Sequence, residues 1–196
     1  MTASRGAARI RVARTFAFLG LLLLASGPAL VAHAQDEANV LERRVKAAFV
    51  FKFTSYVEWP AGAFPQADTP VTIAVVGDDE LAAELAQTVA GRTVDGRPLL
   101  VRKPKGVESL ADVHMLFVGR AEIARLSQWV KSTQSKPVLI ITDVPGALNQ
   151  GGMINFVVIQ QRVRFEISLD EAEKRGLRLS SRLLAVAQSV RRVTPP

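Results

Sequence analysis

Val71-Thr72-Ile73-Ala74-Val75-Val76-Gly77-Asp78-Asp79-Glu80-Leu81 decides how the chain folds. Its first six residues are a short, mostly apolar run without in–out alternation, which suits a strand buried on both faces. Gly77 closes the run. Asp78, Asp79 and Glu80 then open a helix whose apolar stripe is Leu81, Leu85 and Val89, stopped at Gly91. A buried strand feeding a helix is the unit from which parallel α/β sheets are built.

The alternation continues toward the C-terminus. Arg92 to Arg102 reads as extended chain with a turn at Asp95-Gly96. Val113 to Val118 is a second buried strand, Gly119 leads into a helix striped by Ile123, Leu126 and Val130, and Val138 to Thr142 is a third strand. Asp143 to Gly152 is a turn-rich loop. Met153 to Ile159 and Arg162 to Ser168 read as a hairpin, with Val163, Phe165 and Ile167 facing away from Arg162, Arg164, Glu166 and Ser168. The link Gln160-Gln161 matches the Asn-Gly kind of turn poorly and leaves the turn type open. Asp170 to Arg175 is a short helical piece. Ser180 or Ser181 caps a final helix expected to bury Leu183, Leu184, Ala187 and Val190 and to end at Arg191-Arg192. The predicted fold class is α/β: a single domain, a mostly parallel sheet flanked by helices, and a C-terminal antiparallel hairpin.

Working back toward the N-terminus, Asp36 to Glu58 has helical periodicity, with Leu41, Val45, Ala48, Phe49, Phe53 and Tyr56 as its stripe and Trp59-Pro60 as its end. Phe49, Phe53 and Tyr56 fall within about 60° of one another around that helix. Phe51 points nearly opposite, so either a second layer covers it or it serves an interface. Ahead of this helix the pattern changes. Arg5, Arg9, Arg11 and Arg14 precede the apolar run Phe16 to Ala25, a break at Gly27-Pro28 and the small residues of Ala32-His33-Ala34. That is the layout of a cleavable export signal. Residues 1–34 are expected to be the signal peptide, cut after about Ala34, and 35–196 the single domain. A membrane anchor would need about 20 consecutive apolar residues, so no membrane span is expected after cleavage.

Removing the leader changes the charge argument. The precursor carries +7, but four of its 25 Lys and Arg leave with the leader, so 21 basic face 18 acidic residues, a net +3. A balance that small does not point to nucleic acid. Hydrophobic residues make up 48% of the chain, enough for an exported domain to hold together by core burial without disulfides. Cysteine is absent, which excludes a thiol nucleophile, a thiolate metal site and cysteine-based redox sensing.

Few residues suggest chemistry. Asp78, Asp79 and Glu80 could hold a divalent cation, but acids in the first turn of a helix more often cap it and complement its dipole. No glycine-rich phosphate loop occurs, and Gly151-Gly152 precedes a strand, as a tight turn does. His114 is the one histidine outside the leader, with Asp112 two residues before it and no serine in a nucleophile-elbow context. A hydrogen-bonded structural role fits it better than catalysis, and a carboxylate-based hydrolase is the residual enzymatic alternative. No catalytic residue, metal ligand or cofactor is assigned. The polar face of Arg162, Arg164 and Glu166 is either solvated or docks a partner or an anion, the latter together with Arg178.

Lys46-Ala47-Ala48-Phe49 followed by Val57-Glu58-Trp59-Pro60 resembles the N-terminal signature of the YfiR-like (YfiR/HmsC-like) periplasmic regulatory proteins. The order of Val76-Gly77-Asp78, Gly96-Arg97-Pro98-Leu99, the strand from His114 to Gly119, and Gly151-Gly152-Met153-Ile154-Asn155-Phe156 is similar too. Arg162 to Ile167 and Gly176-Leu177-Arg178-Leu179-Ser180-Ser181 complete it, so it spans about Val45 to Val190. The resemblance implies a periplasmic, non-enzymatic α/β protein that dimerises. It further implies binding to the periplasmic sensor region of an inner-membrane signalling protein, a diguanylate cyclase or a sensor kinase, with repression of cyclic-di-GMP synthesis. Family members with disulfides differ from this cysteine-free chain. The alternative is a periplasmic small-ligand module without a cyclase partner, with Arg164 and Arg178 orienting an anion. Residues expected at a partner or ligand surface are Phe51, Trp59, Arg162, Arg164, Glu166 and Arg178.

Overall fold

The computed structural model describes residues 27–192. The arginines and apolar run of the expected leader lie outside them. The chain divides into two units, 1–41 and 42–196. Helix α1, Gly27–Phe53, crosses from one unit to the other. It begins at the Gly27-Pro28 pair read above as a break. Proline in a first turn is tolerated because its missing N–H has no intrahelical partner there.

In the second unit, α1 presents Ala47, Val50 and Phe53 to the core. The expected stripe is therefore rotated: Ala48 is exposed and Phe49 only half-buried. The helix also stops at Phe53 and not at Glu58. Val57–Glu58 instead form strand β1, laid antiparallel against β9, Arg178–Leu179. β-branched Thr54 and Val57 are weak helix formers, and pairing with a distant strand outweighs continued periodicity.

Strands β2 (Val71–Val76), β4 (Arg97–Arg102), β5 (Met115–Val118), β6 (Leu139–Thr142), β7 (Ile154–Ile159) and β8 (Arg162–Ser168) form the main sheet, with short β3 (Thr93–Val94) and β10 (Ser189–Arg191) at its edges. Its order is β10-β8-β7-β6-β5-β2-β4-β3. All neighbours are parallel except the β3–β4 and β7–β8 pairs. The expected α/β class, mostly parallel sheet and antiparallel hairpin are all present. At the tip of that hairpin Gln160 and Gln161 both take positive φ, 49° and 60°, the two left-handed residues of a type I′ turn.

Helices α2 (Asp79–Val89), α3 (Leu126–Ser132), α4 (Leu169–Glu173) and α5 (Ser181–Val186) complete the fold. The central strands lack alternation because each feeds two cores. Ile73, Val75, Met115 and Phe117 face α1 and α2, while Ala74, Val76, Leu116 and Val118 face α3, where Trp129 is 1% exposed. The Val, Ile, Leu, Met and Phe side chains among them each contribute about 1.5–3 kcal/mol. The first core centres on Phe49, Phe53, Phe156 and Phe165, with ring centroids 5.1–6.5 Å apart.

The last helix is shorter than expected. Ser180 caps it, accepting from the Leu183 N–H at 3.3 Å, but it ends at Val186. The Gln188 N–H then bonds the Phe165 carbonyl and Ser189–Arg191 join the sheet beside β8. Val190, expected to be buried, is 40% exposed.

Candidate functional site

The C-terminal ends of parallel strands are where open α/β sheets take ligands, at the point where chain order reverses. Here that point lies between β2 and β5. Gly77 (φ 74°) and Gly119 cross there in backbone contact: a Cβ on Gly119 would lie 2.7 Å from the Gly77 oxygen. At this crossing the two backbones leave no room for a methyl group. Asp78 next to it caps α2, its carboxylate accepting from the Leu81 N–H at 2.8 Å, and Asp79 faces Lys103 at 3.4 Å. Among the described residues no group of three His, Cys, Asp or Glu side chains could hold a metal.

Beside this closure, Lys46 of α1 is buried and reaches Asp143 at the end of β6 at 2.8 Å and Glu42 at 2.6 Å. Arg120 approaches Asp143 from the solvent side at 3.6 Å. Asn155 accepts from the Thr142 hydroxyl at 2.7 Å and from the Val144 N–H at 3.0 Å, pinning the loop that carries Asp143. The sequence reading missed this network, though Lys46 stands four residues before Val50 and seven before Phe53, on the buried stripe itself.

The N-terminal ends of the strands carry His114. Its Nδ1 accepts from the Thr72 N–H at 3.2 Å, so the ring proton sits on Nε2 and donates to the Ala63 carbonyl at 3.2 Å. Burial lowers its pKa below the ordinary value; the Ala63 bond opposes that, Arg97 adds to it and Asp112 opposes it again. Phe64 stacks on the imidazole at 4.3 Å, and Arg97 covers the other face of Phe64 at 4.2 Å. Arg97 also donates to the carbonyls of Gln66, Ala67 and Thr69. A cavity of about 470 Å³ adjoins, lined by Asp112, His114 and Lys136 with no serine among its described residues. Lys136 is engaged by the Leu110 and Ala111 carbonyls. Both imidazole nitrogens hold backbone, so neither serves as a free base.

The six surface candidates fall in separate places. Phe51 is half-buried beneath the Arg92 guanidinium, 4.8 Å from its ring centroid. Trp59 packs edge-on to Phe64 and His114, its indole N–H buried without a partner. Arg178 lies across the β1–β9 ladder from Glu58, 4.0 Å away and largely exposed. Arg162 is exposed at the start of β8, and Glu166 accepts from the Ser189 hydroxyl at 3.3 Å. Arg164 lines a second cavity with Lys52 and Arg182, and Arg178, on the β1–β9 ladder, is not among its lining residues.

Among the described residues this arrangement offers side-chain surfaces and brings no acid, base and nucleophile together. A family model described as YfiR/HmsC-like matches residues 43–188. The chain belongs to the YfiR/HmsC-like family. That family is periplasmic and its members are known as regulators of diguanylate cyclases. No helix among the described residues is long and apolar enough to cross a membrane. Among solved structures, a conserved domain protein from Vibrio cholerae O1 biovar El Tor str. N16961 is similar with a TM-score of 0.50 at 11% identity, over 61% of this chain and 54% of that one. The ABC domain in complex with L-Trp from Streptococcus pneumonia gives a TM-score of 0.46 at 12% identity, over 62% and 55%. The chain thus spans about half the length of these structures, and the first likeness speaks to fold alone. No curated protein matches the chain.

Proposed function

We propose that the processed protein is a periplasmic repressor of an inner-membrane diguanylate cyclase, binding the cyclase's periplasmic sensor region and lowering cyclic-di-GMP synthesis. The observation that carries this reading is the YfiR/HmsC-like match across residues 43–188, nearly the whole α/β unit. It is supported by the filled strand-end crevice and by a histidine whose nitrogens are both spent on backbone.

A repressor of this kind acts by occupancy. It binds the inactive form of the sensor better than the active one and shifts the population by the difference in affinity. Turning a mostly active cyclase into a mostly inactive one takes a differential of about 5.5 kcal/mol. The candidates for its contacts are Phe51, Trp59, Arg162, Arg164, Glu166 and Arg178, which lie in separate places, and a second copy of the chain is expected alongside as a homodimer.

Deleting the gene should raise cellular cyclic-di-GMP. A plasmid copy with its leader should restore the level, and a copy lacking residues 1–34 should not. Unchanged cyclic-di-GMP under conditions where the protein is made overturns the proposal. Membranes probed with the processed protein as bait should yield the cyclase.

A further inference from the structure

The second cavity, about 410 Å³, is bounded by α1, β8 and α5. Phe49, Phe53, Phe165 and Leu183 form its apolar floor. Lys52, Arg164 and Arg182 stand around it, and no carboxylate lines it. Among the described residues none of these three cations has a side-chain hydrogen bond or an ion pair. Some other arginines of the chain are paired: Arg43, Arg125, Arg178 and Arg192 each face a glutamate. Three cations around an aromatic floor leave a local charge of +3 with no carboxylate among the described lining residues to offset it.

We propose that this cavity binds an amphipathic carboxylate, an apolar body seated on the phenylalanine rings with its anionic head among Lys52, Arg164 and Arg182. A cavity of this volume suits a small ligand, since ligand sites run from about 300 to 1,000 Å³ and combine an apolar lining with a few convergent polar groups. Guanidinium groups recognise a carboxylate through paired N–H donors, and a water-poor apolar floor strengthens that attraction. A cationic or neutral amphiphile would bury the same apolar area without relieving the repulsion among the three side chains. The site stands independently of the repressor reading, because a protein without a cyclase partner would still bind the carboxylate.

The test titrates the processed protein, purified from the exported fraction, by calorimetry with straight-chain carboxylates from hexanoate to dodecanoate. Octanol and octyltrimethylammonium serve as neutral and cationic counterparts. Carboxylate binding is expected within the series, with octanol at least tenfold weaker than octanoate and the cation without measurable heat. The double variant R164Q/R182Q changes only exposed side chains, and its unfolding midpoint should match the parent. It should weaken carboxylate binding at least tenfold while leaving octanol unchanged. Octanol binding as tightly as octanoate, or a double variant that binds carboxylate unchanged, overturns the proposal. Silence across the whole carboxylate series overturns it too, and assigns the basic rim to an acidic protein surface.

Discussion

At the C-terminal ends of β2, β5 and β6 the molecule is closed by glycine backbones in contact and by the buried Lys46–Asp143 pair, whereas at their N-terminal ends it is closed by a neutral histidine stacked on Phe64. The first closure is charged and stiff. Lys46 and Asp143 are each about 5% exposed, and the Gly77–Gly119 crossing leaves no space. The second is a strap: the loop from Trp59 to Pro70 is tied down by Arg97 on three carbonyls and by His114 on one. A fold that elsewhere opens at its C-terminal strand ends is thus sealed there, and its adaptable surface lies at the other end and around α5. That distribution suits a protein that works by contact.

The largest effect should come from breaking the charged closure. Lys46→Met leaves Asp143 buried with only the exposed Arg120 nearby, which should cost about 3–5 kcal/mol. Urea unfolding of the single variant and of K46M/D143L separates the pair from the packing, because the apolar double replacement should regain most of the loss. A single-variant loss under about 1 kcal/mol would mean that the glycine contact alone seals this end. Next in size is Gly119→Ala. Its methyl would press on the Gly77 carbonyl, and overpacking of that kind costs about 1–3 kcal/mol, read from the same titration. A cost near zero would mean that the two loops can part, and the crevice would again be a candidate for a ligand.

Much of the fold was legible in the sequence because the central strands are continuous apolar runs and two of the helices have clear caps. Asp78 and Ser180 cap as their positions suggested. What was misread lies at boundaries set by distant pairing. Val57–Glu58 and Ser189–Arg191 look helical by periodicity and become strands because β9 and β8 supply partners. Periodicity is a local signal, and a ladder bond to a residue outside the helical window, Ser189 to Glu166 or Val57 to Leu179, leaves no local mark. The sites were harder still. Lys46 was readable as a charge on a buried stripe, but its partner Asp143 is 97 residues distant. Arg164 was singled out, yet its neighbours in the cavity, Lys52 and Arg182, come from α1 and α5 and meet it only in the folded chain.

The smallest effect concerns the neutral strap, and it has a direction in pH. His114 is the one histidine of residues 42–196, and folding lowers its pKa from the ordinary 6.5 through burial first. Arg97 faces it across Phe64, while Asp112 and Lys136 share its cavity, so both signs of charge are at hand. Protonating Nδ1 would set an N–H against the Thr72 N–H that it now accepts from. The unfolded chain therefore takes up this proton more readily than the folded one, and acid favours unfolding. The contribution is complete above pH 6.5 and declines as the pH falls from there toward the lowered value, by at most about 1.4 kcal/mol for each unit of lowering. Urea midpoints measured between about pH 5 and pH 7.5 should fall with acid in the parent and stay level in His114→Asn, which starts lower because it loses the Phe64 stack. Equal slopes in the two proteins would show that the imidazole does not tie the loop.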